Sequence, residues 1–422
     1  MQRIELEIKV LSPLAIARQK PGGSISEAVD YIPGTVIRGA VAAQILNESG
    51  HQFSNLTESG GDFQSLFLSE NPAIFQNAYP ALVINGKIIP QARFEDNGVL
   101  PATALSSKNK SGFKGKSKDS KKDNNGIFDT LIDRFCAEGY GYPYDPNCPK
   151  DGGRVDPAGI SFYCKFNKKY HSLSANKRLL TRVGINRRRA ASEEEILYSV
   201  EVLNESQDKK QQPVCYRGAI LVEDDLAESL WDFIQLRNQS FRLGGSTSRG
   251  LGKVEITTKE PVNAKISVEQ KITNFTKSIQ DRWREWRIFG VPLKELPGDR
   301  TYFTLDLQSD AILTENWRRT TVISQKMLQQ FAKVEDSSLK LEAAYSSYDY
   351  LSGWNAAWGL MKDVELITNK GSVYLFSTNQ REIWDNVLGE LEMRGLGDRT
   401  SEGFGQIQIC NDFHLIFRDK PV

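Results

Sequence analysis

The sequence has few of the residues that bind metals or form disulfides. It contains three histidines and five cysteines in 422 residues, and no two cysteines are spaced as Cys-x-x-Cys. Structural zinc sites usually draw on such closely spaced ligands. The set Cys136, Cys148, Cys164 and His171 is the zinc alternative, but its wide spacing favours ordinary reduced cysteines. We therefore expect no metal and no cofactor, and the odd number of cysteines indicates a reducing, cytoplasmic compartment.

The sequence also lacks an excess of charge and a long apolar run. Its 54 basic and 53 acidic residues give a net charge of +1. A lone nucleic-acid-binding domain is usually much more basic, so a nucleic-acid surface here requires segregated charges. No apolar run approaches the roughly 20 residues that span a bilayer. The N-terminal residues 2–11 carry acids within an apolar alternation, which predicts a strand and not a signal peptide.

An internal repeat is the most informative feature of the sequence. Residues 218–256 align without a gap with residues 371–409, at an offset of 153 positions, and share ten identities in 39 positions. Average composition would give roughly two or three. Each copy has the pattern of a strand, a helix, a glycine-rich loop and a second strand. The chain therefore contains two related halves.

Each repeat is preceded by a segment that supplies an opening strand. Residues 2–11 and 301–308 both alternate apolar and polar side chains, as half-buried strands do. With that strand each half approaches a β-α-β-β-α-β order, so we expect an α+β fold of two tandem ferredoxin-like, RRM-like domains. The predicted divisions are a first domain at 1–258 with an insertion at about 100–175, a helical linker at 259–298 and a second domain at 299–422.

Local patterns add three smaller predictions. Thr35 is a suitable N-cap for the first helix. The spacing of Ile272, Phe275, Ile279 and Trp283 predicts a helix between the two halves. Residues 106–126 are lysine-rich and of low complexity, which favours a mobile segment within the insertion.

The two glycine-rich loops have two interpretations. Successive backbone N–H groups in such loops can form an anion-binding nest, and neighbouring Thr, Ser and Arg side chains add phosphate contacts. Alternatively, the glycines only satisfy the geometry of a tight helix-to-strand connection. Neither loop has the Gly-Lys-Ser/Thr of a phosphate-binding P-loop. Both interpretations stay open on the residues alone.

The chain resembles the RAMP superfamily of CRISPR-associated proteins. The resemblance lies first in Tyr31-Ile32-Pro33-Gly34-Thr35, followed by Arg38-Gly39-Ala40, and in the loops ending Arg249–Gly252 and Glu402–Gly405. The segment from Arg182 to Arg187, with Ala191–Glu194 and Leu197-Tyr198, is similar to type III backbone-like subunits. Gly353-Trp354 and residues 370–374 resemble subunits that hold the 5′ tag of the guide RNA. These motifs touch most of the chain outside 50–170.

The resemblance implies a two-domain subunit of a type III, III-D-like effector complex that binds guide RNA (crRNA), and we expect a binding subunit rather than an enzyme. Its implied partners are the guide RNA and, through it, target RNA, together with the large subunit and backbone RAMP subunits, and no membrane. The RNA-binding candidates are Arg38, Arg182, Arg187, Arg188, Arg242, Gly244, Gly245, Ser246, Thr247, Ser248, Arg249, Gly250, Gly252, Lys253, Trp354, Arg394, Gly397, Arg399, Thr400, Ser401, Gly403 and Gly405.

Three features admit a rival interpretation. Asp30 follows the first strand, where related backbone subunits use an Asp for metal-assisted cleavage of target RNA; it also suits a turn cap. His51 follows the first helix and is a candidate general acid of a metal-independent endoribonuclease that processes guide precursors. Trp354 and Trp358 have helical i, i+4 spacing, which favours core packing, with base stacking by Trp354 as the alternative.

Overall fold

The computed structural model describes residues 1–18, 27–49, 60–84, 87–89, 93–115, 123–186, 191–207, 212–355 and 359–422. Within these ranges the chain mixes helices with antiparallel sheets, which confirms the predicted α+β class. The helices are α1 Gly34–Glu48, α2 Asp62–Phe67, α3 Leu131–Gly139, α4 Asp224–Leu236, α5 Glu269–Trp286, α6 Gln325–Ala332 and α7 Arg381–Arg394. None of these helices combines the length and apolar character needed to cross a membrane.

The strands are numbered in chain order. In the first half of the chain they are β1 Gln2–Val10, β2 Ala17–Arg18, β3 Glu27–Ala28, β4 Ile74–Phe75, β5 Tyr79–Pro80, β6 Val83–Ile84, β7 Lys87–Ile88, β8 Asn97–Val99, β9 Ala104–Ser107, β10 Ile127–Asp129, β11 Val155–Pro157, β12 Phe162–Phe166, β13 Lys169–Leu173, β14 Lys177–Asn186, β15 Ala191–Leu203, β16 Ser206–Gln207, β17 Gln212–Pro213, β18 Cys215–Val222, β19 Val254–Thr258 and β20 Val262–Asn263. In the second half they are β21 Thr301–Leu307, β22 Leu313–Glu315, β23 Arg318–Thr320, β24 Lys340–Tyr345, β25 Tyr348–Leu351, β26 Trp354–Asn355, β27 Leu360–Met361, β28 Glu365–Thr368, β29 Val373–Thr378 and β30 Ile407–Ile409.

The first sheet is built around β1. Its alternate residues Ile4, Leu6, Ile8 and Val10 are buried, because successive side chains in a strand point to opposite faces. The order across the sheet is β19-β1-β18-β4, with β20 also beside β1 and β5 beside β18. Counting these four main strands along the chain, the spatial order is fourth, first, third, second, and α1 and α4 connect the first strand to the second and the third to the fourth.

The second sheet repeats this plan. Its order is β24-β29-β21-β30, which is again second, third, first, fourth along the chain. Helix α6 lies between its first two strands in sequence, and α7 lies between the last two. Both repeats found in the sequence therefore have the predicted order of strand, helix, loop and strand.

The first helix begins one residue before the predicted cap, Thr35. Gly34 is its first residue and Pro33 its N-cap, so the prediction that Thr35 caps α1 is wrong. The reason is a long-range substitute for a local cap: the Gly34 N–H donates to the Asn77 side-chain oxygen at 2.7 Å. A residue 43 positions away thus satisfies a donor that a capping side chain normally would.

The linker helix and the insertion both pack on the second half. Helix α5 buries the four predicted residues against β21 and its neighbours, which confirms the predicted helix. Helix α3 of the insertion packs on α5, where the Tyr140 hydroxyl donates to the Trp283 carbonyl at 2.9 Å. Strand β10 exchanges backbone hydrogen bonds between Ile127 and Val422. An insertion that belongs to the first half in sequence is therefore attached to the second half in space.

The lysine-rich segment at 106–126 is partly buried, although its composition favours a mobile segment. Residues 116–122 lie outside the described residues. The flanks are built into the fold, because Ser106 and Ser107 are buried in β9 and Phe113 is buried against Tyr163 and Phe413. The prediction that the whole of 106–126 is mobile is thus wrong at both ends, since Phe113 and strand β9 are buried before residues 116–122 and Asn125 is buried after them.

Candidate nucleic-acid interface

The two glycine-rich loops have the same backbone conformation. Ser246 and Arg399, which are equivalent in the repeat, both have left-handed φ values, of 57° and 59°. Gly250 and Gly403 are also equivalent, with φ values of 83° and 92°. A short 3-10 turn lies between these positions in each loop, at Thr247–Arg249 and Thr400–Glu402. The repeat therefore preserves the loop in detail and not only in composition.

Each loop closes on the chain that follows the first strand of its own sheet. A Cβ atom at Gly244 would lie 2.6 Å from the Ala15 carbonyl oxygen, and one at Gly397 would lie 2.5 Å from that of Ile312. Real Cβ atoms do not come so close to backbone oxygens, so both glycines are required by a close backbone approach. The interpretation of the glycines as structural thus holds for this part of both loops.

The second loop is covered by the first half of the chain. Gly403 is buried, and a Cβ atom there would lie 2.6 Å from Asn77 Oδ1 and 2.9 Å from the Phe75 carbonyl oxygen. On the opposite side, a Cβ atom at Gly34 would meet the Glu402 carbonyl oxygen at 2.9 Å. We call this contact between the start of α1, residues 75–77 and the second loop the joint. It fixes the two halves to each other.

The joint carries its own charge balance. Arg399 lies 2.6 Å from Glu402, and Lys362 lies 4.0 Å from the same carboxylate. Burial would raise the pKa of Glu402, but the hydrogen bond and charge of Arg399 outweigh it and leave that pKa lowered. The Arg399 guanidinium is therefore engaged within its own loop.

The first loop is open at the same place. No atom of the described residues lies within 4 Å of a Cβ built at Gly250, and residues 247–250 are exposed. Arg249 occupies the repeat position that Glu402 occupies in the joint. One half thus presents a basic, open loop where the other presents an acidic, covered one.

A matched pair of glycine substitutions isolates the joint. Gly250→Ala and Gly403→Ala both place a side chain at a left-handed φ, which costs about 1–2 kcal/mol. Only Gly403→Ala also forces a Cβ against Asn77 and Phe75, so we expect it to lose about 1–3 kcal/mol more of unfolding free energy. Urea denaturation of the two variants measures this difference. Equal losses would mean that the second loop is not packed as described.

A two-stranded hairpin of β14 and β15 lies beside the open loop. The Arg249 guanidinium donates to the Tyr198 hydroxyl at 2.5 Å, and Arg182 donates to the Arg249 carbonyl oxygen at 3.5 Å. Leu179 and Val183 on the same hairpin are exposed. The structure therefore brings the predicted residues Arg182 and Arg249 together. Tyr198 is not among the predicted site residues, although it lies in a motif that carries the resemblance.

Each of three other predicted arginines already contacts a partner within the chain. Arg242 is exposed but folds back on the carbonyl oxygens of residues 239–241. Arg394 faces Glu223 at 3.9 Å. Arg38 donates to the Phe67 carbonyl oxygen at 2.8 Å.

Four predicted site features fall wholly or partly outside the described residues. These are His51, Arg187, Arg188 and the side chain of Trp354. The backbone of Trp354 is in strand β26, which pairs with β27, so the prediction of a helix is wrong at Trp354. Trp358 lies outside the described residues. Asp30 is partly exposed and lies just after β3.

The cysteines of the zinc alternative are held in different surroundings. Cys136 is buried on α3 among apolar side chains of α5 and β21, Cys164 is buried on β12 near Val99, and Cys148 lies near Asn125. Burial raises the pKa of the Cys136 and Cys164 thiols, which opposes the thiolate form that binds metal. All five cysteines are free and buried. No group of three metal-ligating side chains occurs among the residues that the structure describes.

Comparisons with solved structures find chains of type III-B Cmr-beta complexes. One, from the complex bound to cognate target RNA and AMPPnP, is 12% identical, with 92% of this chain and 89% of that chain covered and a TM-score of 0.39. Another, from the complex with cognate target RNA, has the same identity and coverage and a TM-score of 0.36. A chain of the apo state is 13% identical over 61% of this chain and 96% of that chain, with a TM-score of 0.29.

No curated protein matches the sequence. The model of the RAMP superfamily matches residues 7–255, a range that contains the end of β1, all of α1, the β14–β15 hairpin and the open first loop. The match covers more than half of the chain and spans the elements from which the first sheet and its glycine-rich loop are built. The chain belongs to the RAMP superfamily.

Proposed function

We propose that this protein is a guide-RNA-binding subunit of a type III CRISPR effector ribonucleoprotein, and that it holds the 5′ repeat-derived tag of the guide. In this proposal residues 1–258 and 299–422 are two ferredoxin-like domains joined by the linker at 259–298. The same strand order in both sheets supports that division. The type III assignment and the tag position are supported by the sequence motifs of residues 182–198 and 353–374.

The open first loop is the observation that carries the proposal. Its exposed turn offers the hydroxyls of Thr247 and Ser248 and the guanidinium of Arg249. Arg182 reaches the same turn from the adjacent hairpin. Arginine pairs phosphate oxygens through two parallel N–H donors, so this arrangement suits the sugar-phosphate backbone of a single strand. Bases held in this way remain free to pair.

The second loop takes a different role in the proposal. Gly403 is covered by Asn77 and Phe75, and Arg399 is bound to Glu402. We therefore assign the RNA contacts to the first loop and the β14–β15 hairpin, and we assign the second loop to the joint. Arg187 and Arg188 follow β14 in sequence and lie outside the described residues, so their RNA contacts stay predictions. The proposed partners are guide RNA, target RNA paired with it, and other effector subunits.

Removing the two arginines at the open loop tests the proposal. The double variant Arg182→Ala/Arg249→Ala should bind single-stranded repeat RNA at least about tenfold more weakly, since a hydrogen bond to a charged group contributes about 1.5–3 kcal/mol. The slope of log affinity against log salt should fall by about 1.4, because each phosphate contact on a single strand contributes about 0.7. Fluorescence anisotropy at several salt concentrations measures both quantities.

The control removes the same charge elsewhere. Arg154 and Arg284 are 77% and 64% exposed and lie far from the first loop in sequence, each beside an Asp. The variant Arg154→Ala/Arg284→Ala should keep the wild-type affinity and slope. RNAs of different sequence should lose affinity equally in the test variant, because the contacts are to the backbone. An unchanged slope in the test variant, with the fold intact, would remove the open loop from RNA binding.

A further inference from the structure

Trp317 is the most exposed large apolar side chain among the described residues, at 100%. It lies in the turn between β22 and β23, where Leu313 pairs with Thr320 and Glu315 with Arg318. By comparison, Trp384 is 1% exposed and Trp283 is 5% exposed. Transfer of an indole from water to an apolar environment is strongly favourable. Burial within this chain therefore does not account for a tryptophan here.

The backbone geometry of the turn does not account for a tryptophan at position 317 either. Asn316 and Trp317 both have left-handed φ values, of 49° and 63°. Two-residue hairpin turns of this kind favour Asn-Gly, because glycine alone adopts the second conformation without strain. A bulky residue at positive φ is uncommon, and such outliers concentrate at functional sites. The fold would be better served by glycine at position 317.

Two further exposed aromatic rings lie on the neighbouring hairpin. Tyr348 and Tyr350 on β25 are 60% and 48% exposed, with ring centroids 6.2 Å apart. Strand β25 pairs with β28, and the β22–β23 hairpin is tied to β28 because Arg319 donates to Glu365 at 2.7 Å. We call Trp317, Tyr348 and Tyr350 the aromatic surface. It is confined to two adjoining hairpins of the second half.

The charges around this surface are mostly neutralised within the chain. Arg319 contacts both Glu365 and Asp398. Arg318, next to Trp317, is exposed and makes no ion pair with any residue that the structure describes. A surface with so little free positive charge cannot hold a phosphate chain by electrostatics alone. Exposed aromatic rings beside a single free guanidinium instead suit stacking on unpaired bases.

We infer that the aromatic surface stacks on nucleobases of single-stranded RNA, with Trp317 as the principal platform. The inference rests on the proposed function, since it concerns the strand whose backbone the open first loop holds. In this inference the arginines at the open first loop contact phosphates, and the aromatic surface of the second half contacts bases. Recognition by stacking is tolerant of sequence, because every base has a π-face.

The variant Trp317→Gly tests the inference without an expected loss of fold stability. Its affinity for single-stranded RNA should fall about 5- to 100-fold, from the range of about 1–3 kcal/mol for one stacked base. Its salt slope should equal that of the wild type, because no phosphate contact is removed. Its melting temperature should be unchanged or higher, because glycine suits the left-handed turn. Trp317→Phe, which retains a stacking ring, should keep most of the affinity.

Fluorescence supplies an independent readout. The difference between wild-type and Trp317→Phe emission isolates Trp317, and this component should be quenched on addition of RNA. As a control, Tyr142→Ala removes a ring that is 48% exposed in the inserted region and should leave RNA affinity unchanged. The double variant Tyr348→Ala/Tyr350→Ala should weaken binding by less than Trp317→Gly does.

The outcomes separate this inference from the proposed function. If the wild type binds RNA and Arg182→Ala/Arg249→Ala weakens it, but Trp317→Gly binds as well as the wild type, the stacking inference is wrong and the proposed function stands. If Trp317→Gly leaves RNA affinity intact but abolishes co-purification with another effector subunit, the surface binds protein and the inference is also overturned. If the wild type binds no RNA, both proposals fail together.

Discussion

Replacing His414 with alanine is expected to lower the unfolding free energy by about 3–5 kcal/mol, the usual loss when one member of a buried ion pair is removed. The His414 side chain is fully buried, with Nε2 at 2.7 Å from Asp306 and Nδ1 at 3.1 Å from Asp129. Asp306 belongs to β21 and Asp129 to β10 of the insertion. The variant would leave two buried carboxylates without their shared cation.

The same cluster predicts a pH dependence of stability. Burial alone would lower the pKa of His414, but the charges of Asp306 and Asp129 outweigh it and raise that pKa to about 10. The value in the unfolded chain is near the ordinary 6.5. Because the folded-state pKa is the higher one, the stabilisation is fully present below about pH 6.5 and is lost as the pH rises through 10. Wild-type stability should therefore decline across this window.

Two variants make that prediction specific. His414→Gln keeps a polar side chain of similar size but cannot titrate, so the difference in stability between the wild type and this variant should shrink from pH 6.5 to pH 10. His171→Ala removes a partly exposed histidine on β13 and should cost little at any pH. Urea denaturation at several pH values measures all three proteins. A constant difference between wild type and His414→Gln would mean that His414 is neutral in the folded state.

The sequence predicted the repeated unit but not the way the two halves meet. The repeat at an offset of 153 identifies both glycine-rich loops, because their conformation depends on local residues such as Gly250 and Gly403. Which loop stays open depends on a contact between Gly34 and the loop at 400–403, over 360 positions apart. No local pattern encodes such a contact. The hydrogen bond from the Gly34 N–H to Asn77 is likewise not predictable from local sequence, since nothing around Asn77 indicates that it caps α1.

Two predictions from local sequence, one from composition and one from residue spacing, are wrong for related reasons. The lysine-rich segment at 106–126 looks unable to form a core, yet its flanks join a small core completed by Phe413 from the C-terminal end. The spacing of Trp354 and Trp358 fits a helix, but at Trp354 strand pairing with residues 360–361 prevails. In both places the deciding partner is supplied by another part of the chain. Trp317 is the opposite case, because only the structure shows that its ring is fully exposed and packs on none of the described residues.

The second large effect is expected from one methyl group at the joint. In Gly34→Ala the new Cβ would lie 1.8 Å from the Phe75 carbonyl oxygen and 2.9 Å from that of Glu402. Both obstacles are backbone atoms, so no change of side-chain rotamer relieves them. The start of α1 must move away from the second loop, and its hydrogen bond to Asn77 is then strained or lost.

We expect Gly34→Ala to lower the unfolding free energy by about 3 kcal/mol or more, at the upper end of overpacking in a protein core. Gly39→Ala is the matched control, because it lies in the same helix and its new Cβ has no atom within 4 Å in the part of the chain that the structure describes. At such an open helical position alanine should stabilise by about 0.4–1 kcal/mol. The two variants should therefore move the urea midpoint in opposite directions. A Gly34→Ala protein as stable as Gly39→Ala would show that α1 and the second loop do not meet, and the contrast between an open and a covered loop would lose its basis.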